Sequence, residues 1–396
     1  MLIKLKHYYM NTKHLKSIIL ILGFLSFLVN GDNYAASPLL LNIAKDFNVK
    51  IDTAALSVTS YMLFFGLLTI IIGPLGDRFG KTKIIILSAL GTSVFSILCI
   101  FSNNIQNLIV LRAINGGFAS GILPVSVALI GEISPMNQKQ NSIAKVMSMM
   151  FFGGAIATTI GGGLAFLGSW KLVYGVYGVM ELILALLAII YLGKVKDEST
   201  QVNIIGLYKN ALSNKSLWKM LLNLFLMGYC IFGTFVYTGK LVENKTGLNV
   251  FLIGLILSLF GLGSILAGRK TGSLQFKLGN TYFLVAGLIG CISVSALVGF
   301  SSIFSISFSL LLFGAVFIAF QSSFISTAQA ILPKMRGTVM ALASFSVVIG
   351  GSLGTFVNGI ILNSIGINYI FIVTASLLFL IAILATIFNK QIKVIQ

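Results

Sequence analysis

The sequence predicts an all-α membrane protein in which twelve transmembrane helices form two six-helix bundles related by pseudo-two-fold symmetry. Only 9% of the 396 residues are charged and 57% are hydrophobic, whereas soluble proteins carry roughly 25% charged residues. Lipid admits only helices or closed barrels, because buried backbone groups need internal hydrogen bonds. The apolar segments here are about 20 residues long, which is the length of a membrane-crossing helix. The strands of a membrane barrel would instead alternate apolar and polar residues over about 10 residues, so the pattern predicts helices.

The apolar segments and the breaks between them define twelve spans. The predicted spans are 17–38, 53–75, 83–102, 107–131, 144–167, 171–193, 217–238, 250–268, 280–300, 303–331, 339–363 and 368–388. The ninth and tenth spans are separated only by Ser301 and Ser302. The first span follows a basic segment and has no convincing cleavage site, so we interpret it as uncleaved. Met10 is an alternative to Met1 as the first residue.

A polar stretch at residues 194–216 divides the spans into six and six, and we interpret it as the linker between two bundles. The predicted segments are a cytoplasmic N-terminus at 1–16, an N-terminal bundle at 17–193, the linker at 194–216, a C-terminal bundle at 217–388 and a cytoplasmic tail at 389–396.

The basic residues are distributed unevenly between the loops. Of the 27 Lys and Arg, 21 fall in the N-terminus, the even-to-odd loops, the linker and the C-terminus. Cytoplasmic loops carry such an excess, so we expect both termini to be cytoplasmic, in the plasma membrane of a bacterium. The net charge of +18 therefore reflects topology and contact with lipid headgroups, and we expect no nucleic-acid partner.

The two halves repeat each other at an offset of about 198 residues. The matching positions are residues 73–81 with 272–280, Pro135 with Pro333, and Gly153-Gly154 with Gly350-Gly351. Three matches in corresponding spans indicate an internal duplication. Parallel six-span repeats with a binding site between them near the bilayer midplane are a transporter architecture.

Three motifs resemble those of the major facilitator superfamily, and in particular its drug–proton antiporters with twelve spans. They are Gly73-x-Leu75-x-Asp77-Arg78-x-Gly80-Lys81-x-Lys83 after the second span, Leu108-x-x-x-Arg112-x-x-Asn115-Gly116 in the fourth, and Asp32 followed by Pro38 in the first. The resemblance implies proton-coupled efflux of small amphipathic drugs or secreted metabolites by alternating access. In the fifth span, Thr158-Thr159 replaces the Gly-Pro pair of the antiporter motif.

Asp32 and Arg112 are the leading candidates for proton coupling. At about 1.5 Å per residue in an apolar core about 30 Å thick, both lie about 22 Å from the cytoplasmic edge. A lone charge at mid-bilayer costs roughly 2.5–3.5 kcal/mol on insertion scales, so we expect the two to pair in the cavity. Protonation of Asp32 would weaken the pair. The alternative is a static ion pair that only positions helices.

Glu181 lies near the midplane of the sixth span and is a second candidate. It would bind a proton or a cation, or it would be a protonated structural residue hydrogen-bonded to a neighbouring helix. Tyr174 and Tyr177, one to two turns away, are interpreted mainly as interfacial aromatics.

The loop motif implies a cytoplasmic gate that holds the outward-facing state. By resemblance, its residues are Gly73, Asp77, Arg78, Gly80, Lys81 and Glu132. Arg78 is expected to pair with Glu132. Asp77 is expected to lie against the N-terminal end of the eleventh span, where the helix dipole favours an anion. Gly73 and Gly80 are expected to permit tight turns and close helix contact. In the second half Phe276 stands where Asp77 does, so the gate is expected to be one-sided.

Other polar and small residues within the spans complete the prediction. The candidate cavity residues are Asn33, Tyr61, Asn115, Asn223, Tyr229 and Gln321, each of which could instead be a hydrogen-bonded packing residue. The candidate helix-packing glycines are Gly154, Gly162, Gly163, Gly350 and Gly351.

The sequence lacks a Cys/His cluster, a nucleophile–base set and an ATP-binding motif. We therefore expect neither an enzyme nor a cofactor nor a metal site. The expected partners are a small-molecule substrate, protons and membrane lipid, with the chain acting as a monomer. Alternatives left open are a proton-coupled importer of a small solute, a dedicated exporter of a metallophore or sugar and, more distantly, a non-transporting membrane sensor.

Overall fold

The computed structural model of the chain describes residues 12–135, 137–193, 195 and 204–395. Most of the predicted N-terminal segment, with Met1 and Met10, lies outside the described residues. So do residues 194 and 196–203 of the linker and the last residue of the tail.

Within these ranges the chain is helical and contains no strand. The helices are α1 Thr12–Asp46, α2 Ile51–Phe79, α3 Lys81–Leu98, α4 Ile105–Ala119, α5 Ile122–Ile133, α6 Lys139–Leu167, α7 Trp170–Leu192, α8 Ile204–Leu212, α9 Lys215–Thr246, α10 Val250–Gly268, α11 Thr271–Leu278, α12 Tyr282–Gly299, α13 Ile303–Ile331, α14 Arg336–Ser364 and α15 Ile367–Ile395.

Twelve segments of the described chain are long and apolar enough to cross a membrane, which confirms the predicted number of spans. The fourth span consists of α4 and α5, which are separated at Ser120 and Gly121. Pro124 accounts for this break, since it has no N–H for the carbonyl of Ser120 and its ring crowds that carbonyl. Helix α8 belongs to the linker, and α11 lies between the eighth and ninth spans.

Helix α1 extends beyond its predicted end at residue 38. Pro38 lies inside the helix, which continues to Asp46. The residues after the proline are buried, among them Leu39, Leu40 and Ile43. Burial of these side chains favours the helical path more than the loss of one backbone hydrogen bond opposes it.

The two bundles comprise α1–α7 and α9–α15. We call the end of the molecule that carries α8 the linker face and the opposite end the far face. The bundles meet toward the far face: Ser37 of α1 donates to the carbonyl of Phe235 in α9 at 2.7 Å, and Ser352 of α14 donates to that of Thr59 in α2 at 3.0 Å.

Helices α6 and α10 also meet near the far face, and glycine permits their close approach. A Cβ atom on Gly162 would stand 2.5 Å from the Val250 carbonyl oxygen and 3.2 Å from the Cα of Gly254. Small residues at such crossings let transmembrane helices pack backbone to backbone. The halves are therefore closed together at the far face and separate toward the linker face.

Candidate functional site

A cavity of about 740 Å³ lies between the two bundles. Four helices from each half line it: α1, α2, α5 and α6 face α9, α10, α13 and α14. Its wall is largely apolar and includes Met62, Phe65, Met150, Phe151, Phe152 and Phe232. Arg269 at the end of α10 and Met340 at the start of α14 also line it, so the cavity extends to the linker face. Its volume and lining suit a small ligand with a large apolar surface.

Asp32 of α1 and Arg112 of α4 form an ion pair behind this cavity. The Arg112 Nη1 atom lies 2.5 Å from Asp32 Oδ2, and the arginine and the aspartate are 0% and 3% exposed. The guanidinium stands over the ring of Tyr61 at 4.2 Å and over that of Tyr174 at 4.9 Å. Such stacking stabilises a desolvated cation.

The pair differs from the prediction in one respect. We expected Asp32 and Arg112 to face each other in the cavity, but neither residue lines it. Tyr61 lines the cavity and stacks on Arg112, so its ring separates the ion pair from the space where a ligand would bind. Tyr61 therefore contacts both the ion pair and the cavity.

A chain of buried hydrogen bonds connects the ion pair to Glu181. Arg112 Nη1 donates to Asn115 Oδ1 at 3.3 Å, and Asn115 Nδ2 donates to Thr92 Oγ1 at 3.2 Å and to the Thr92 carbonyl at 2.8 Å. The Thr92 hydroxyl is hydrogen-bonded to the Glu181 carboxyl. The structure thus brings the three charged candidates into one cluster that spans α1, α3, α4 and α7.

Several polar atoms of this cluster have no protein partner among the described residues. They are Asp32 Oδ1, Arg112 Nε and Nη2, the hydroxyls of Tyr174 and Tyr177, and Glu181 Oε2. Each is buried, and a buried polar atom without a partner costs about 1–3 kcal/mol. Ionisable residues concentrated in this way inside a membrane segment are typical of a proton or ion pathway.

Two tyrosines of α7 lie in a different environment from the one that the sequence predicts. Tyr174 and Tyr177 were expected mainly as interfacial aromatics, yet both are buried, and Tyr174 covers one face of Arg112. Thr92, which connects Asn115 to Glu181, is absent from the predicted site residues. The sequence offers no signal for it, because threonines are common in spans and most bond to their own backbone.

Comparison with known proteins identifies the family. Residues 22–355 match the family described as the Major Facilitator Superfamily. The chain belongs to the Major Facilitator Superfamily.

Relatives within this superfamily cover most of the chain. The uncharacterised MFS-type transporter YceJ of Bacillus subtilis is 26% identical over 349 residues, which are 85% of this chain and 87% of YceJ. The multi-drug resistance efflux pump PmrA of Streptococcus pneumoniae is 25% identical over 340 residues, covering 81% and 82%. This superfamily member is thus a multi-pass membrane protein of a transporter family and not an enzyme.

The fold agrees with a solved structure of a bacterial homologue of the human lysosomal transporter Spinster, in an inward-facing and unoccupied conformation. The TM-score is 0.81 at 15% identity, and the match covers 96% of this chain and 98% of that one. At this identity the likeness concerns the fold alone.

The loop motif of this superfamily member is organised around Lys81. Its ammonium lies 2.9 Å from Asp77 and 2.8 Å from Glu132. We expected Arg78 to pair with Glu132, but the Arg78 guanidinium lies over the ring of Phe79. Arg78 directly follows Asp77 on α2, so its side chain points about 100° away from that of Asp77. Lys81 begins α3 after the turn at Gly80, and this turn places its ammonium beside Asp77.

The two glycines of the motif differ. Gly80 has φ 102° and ends α2 in a turn that requires glycine. Gly73 lies inside α2 with open space where a side chain would stand; it was expected to permit a turn or close contact and does neither. Gly279, the counterpart of Gly80 in the second half, also has positive φ, while Phe276 is 90% exposed.

The predicted contact of Asp77 with the eleventh span belongs to a conformation closed at the linker face. In this structure the contacts between α2 and α14 include Ser352 with Thr59 and lie toward the far face. The expected contact stays a prediction for the opposite state.

Three of the six candidate cavity residues, Asn33, Tyr61 and Gln321, line the cavity. The other three do not. Asn115 belongs to the buried hydrogen-bond chain, Asn223 donates to the Lys219 carbonyl at 2.8 Å, and the Tyr229 hydroxyl lies 3.5 Å from Asn358 Oδ1. Each of these three is hydrogen-bonded within the helix bundle instead.

Four of the five packing glycines lie where a side chain would collide with a neighbouring helix. A Cβ on Gly154 would meet Asn30 and Tyr34, one on Gly162 would meet Val250, one on Gly350 would meet Phe225 and one on Gly351 would meet Met62. Gly163 differs, since its nearest neighbour would be the Phe251 ring at an ordinary 3.6 Å. Among the described residues no group of acids, cysteines and histidines could hold a metal.

Proposed function

We propose that this protein exports small amphipathic molecules in exchange for protons by alternating access. The linker face is cytoplasmic, in a bacterial plasma membrane. The single observation that carries the proposal is the Asp32–Arg112 pair, which is buried beside the cavity and stacked against Tyr61, a residue of the cavity wall. One chain supplies both halves of the cavity, so a monomer is sufficient.

The coupling acts through Tyr61. While Asp32 is ionised it holds the Arg112 guanidinium against the Tyr61 ring. Protonation of Asp32 removes the countercharge, and Arg112 then relaxes toward its other hydrogen-bond partner, Asn115. The ring of Tyr61 follows, which changes the cavity wall. Proton and substrate therefore favour different conformations, which is the condition for coupling between two sites.

Glu181 extends this site to two carboxyl groups. Asn115 and Thr92 connect it to Arg112, so a change of charge at either acid is felt at the other. With Arg112 as the one cation that the described cluster contains, Glu181 carries a proton whenever Asp32 is ionised. This arrangement avoids an excess negative charge in a dry site.

Lys81 gives the gate its rigidity. By bridging Asp77 and Glu132, it fastens the linker-face ends of α2 and α5 to the start of α3. These helices then move as one body when the halves rock. In the outward-facing state Asp77 also approaches the first turn of α14, where the helix dipole favours an anion.

An importer on the same scaffold is the second candidate. It is favoured by the departure of α6 from the antiporter motif: Thr158-Thr159 replaces the Gly-Pro pair, and the helix runs unbroken from Lys139 to Leu167. The Thr159 hydroxyl also lies 3.4 Å from the Gly254 carbonyl across the two halves. The similarity to an efflux pump over 81% of this chain supports export.

Proton movement in proteoliposomes tests the proposal. Vesicles loaded with the pH indicator pyranine should show proton flux opposite to that of an added amphipathic compound. Asp32→Asn should abolish this flux, whereas Glu243→Gln, which removes an acid paired with Lys240 near the far face, should leave it unchanged. Proton flux in the same direction as the compound would instead establish import or cotransport, and unchanged flux in Asp32→Asn would refute the role of Asp32.

A further inference from the structure

The charge of the cavity wall indicates which amphipathic molecules this transporter accepts. Arg269 lines the cavity where α10 ends, and its side chain is exposed. None of the described carboxylates lines the cavity. Within the described part of the chain Arg269 also takes part in no ion pair. Its guanidinium therefore has N–H donors available to a ligand.

The surroundings of the cavity have the same sign. Two of the described acids lie at the linker-face end of the N-terminal bundle, Asp77 and Glu132, and both are paired with Lys81. Arg78, Lys83 and Lys139 at the same ends of α2, α3 and α6 make the balance of charge there positive. Asp32 is paired with Arg112 behind Tyr61. A cleft lined by one sign of charge with apolar walls concentrates the opposite ion. An anion entering from the linker face is therefore attracted, and a cation finds no countercharge in the wall.

The rest of the wall suits an apolar body. Phenylalanine and methionine side chains from both halves face the cavity, and Gln321 and Ser322 of α13 are among its polar lining residues. Aromatic rings also attract cations, which is the competing possibility. The Tyr61 ring is already covered by Arg112, however, and the other lining rings are phenylalanines without a nearby carboxylate.

We propose that the cavity selects amphipathic anions, with a carboxylate, sulfonate or phosphate held by Arg269 and the apolar part against the phenylalanine and methionine wall. This inference rests on the proposed function, in that it takes the cavity as the substrate site of the exporter. It specifies the chemical class of substrate that the exporter carries.

The substrate charge has a consequence for energetics. Export of a monoanion in exchange for one entering proton moves two positive charges toward the linker face per cycle. A membrane potential that is negative on that side therefore accelerates it. Exchange of a monocation for one proton moves no net charge. Cotransport of a monoanion with one proton is likewise electroneutral.

Three dansyl compounds of matched size test the selectivity: dansyl-aminohexanoate, its uncharged amide, and the cation dansylcadaverine. Binding to the full-length protein is followed by dansyl fluorescence. We expect saturable binding of the anion at least about tenfold tighter than that of the amide, as one charge-assisted hydrogen bond provides. Arg269→Gln should remove this preference and leave amide binding unchanged, whereas Arg269→Lys should retain most of it.

Lys270→Gln is the matched control, because Lys270 is the exposed neighbour of Arg269 and does not line the cavity. It should leave all three affinities unchanged. Tighter binding of dansylcadaverine, an anion preference that survives Arg269→Gln, or absence of saturable anion binding would overturn the proposal. Unchanged amide binding in Arg269→Gln shows that this variant is folded.

The same compounds in pyranine-loaded vesicles separate this inference from the proposed function. Anion selectivity that depends on Arg269, together with proton flux in the same direction as the anion, would refute antiport and leave the substrate class standing. Proton antiport driven by dansylcadaverine but not by the anion would refute the substrate class and support the proposed exporter.

Discussion

Tyr61 occupies the position on which coupling between proton and substrate depends. One face of its ring contacts the Arg112 guanidinium at 4.2 Å, and the residue also lines the cavity. Its hydroxyl makes only a long contact of 3.5 Å with the Val29 carbonyl. The ring, rather than the hydroxyl, therefore provides the stabilisation and the barrier between the ion pair and the cavity.

Substitution of Tyr61 separates the contribution of the ring from that of the hydroxyl. Tyr61→Phe keeps the ring and should behave like the wild type in thermal unfolding and in transport. Tyr61→Leu removes the cation–π contact and should lower stability by about 2 kcal/mol. It also exposes the ion pair, so vesicles should leak protons without substrate, as measured by pyranine fluorescence. A leak as large in Tyr61→Phe would contradict the role given to the ring.

At the scale of elements, helix α8 is attached to α2 at a proline. Pro74 cannot donate to the carbonyl of Ile70, four residues earlier. The hydroxyl of Tyr208 in α8 donates to that same carbonyl at 3.0 Å. Burial and the nearby charge of Asp77 raise the pKa of Tyr208 above its usual value of 10.0, so the hydroxyl keeps its proton and remains a donor at neutral pH.

A double-mutant cycle tests this attachment. Tyr208→Phe should destabilise the protein by about 1 kcal/mol, because the Ile70 carbonyl loses its partner. In a Pro74→Ala background the backbone N–H restored at position 74 satisfies the carbonyl, and the same substitution of Tyr208 should cost little. Thermal unfolding of the four proteins gives the coupling energy. Equal costs in both backgrounds would show that Tyr208 acts by some other contact.

For the whole molecule, closure at the far face depends on the close approach of α6 and α10. A Cβ at position 162 would meet backbone atoms of Val250 and Gly254, whereas one at position 163 would meet only the Phe251 ring at 3.6 Å. Backbone cannot yield as a side chain can, and overpacking costs roughly 1–3 kcal/mol. Adjacent glycines thus provide a matched pair for testing closure.

Gly162→Ala should reduce the population closed at the far face about tenfold and slow transport, because a cost in that range opposes closure, while Gly163→Ala should change neither. Closure can be measured by cross-linking Thr59→Cys to Ser352→Cys with a short bifunctional reagent, since these positions are in contact across the halves. The native Cys99, Cys230 and Cys291 would first be replaced by serine. Equal cross-linking in the two alanine variants would refute the closure mechanism.

The sequence by itself determined the class of protein, the twelve spans and the expectation that Asp32 and Arg112 lie at one level and pair. These properties depend on composition, on the length of apolar segments and on the rise of a helix per residue, all of which act locally along the chain. The duplicated loop glycines, Gly80 and Gly279, were also recognisable because a turn with positive φ selects glycine.

The tertiary structure alone decided which side chains share a site. In the structure the ion pair lies behind Tyr61, and Glu132 pairs with Lys81 and not with Arg78. Thr92 is hydrogen-bonded to Glu181, and Arg269 lines the cavity. These outcomes depend on which face each helix presents to helices far away in sequence. Local pattern does not encode such facing when nearly every residue of a span is apolar, because packing of the whole bundle selects it.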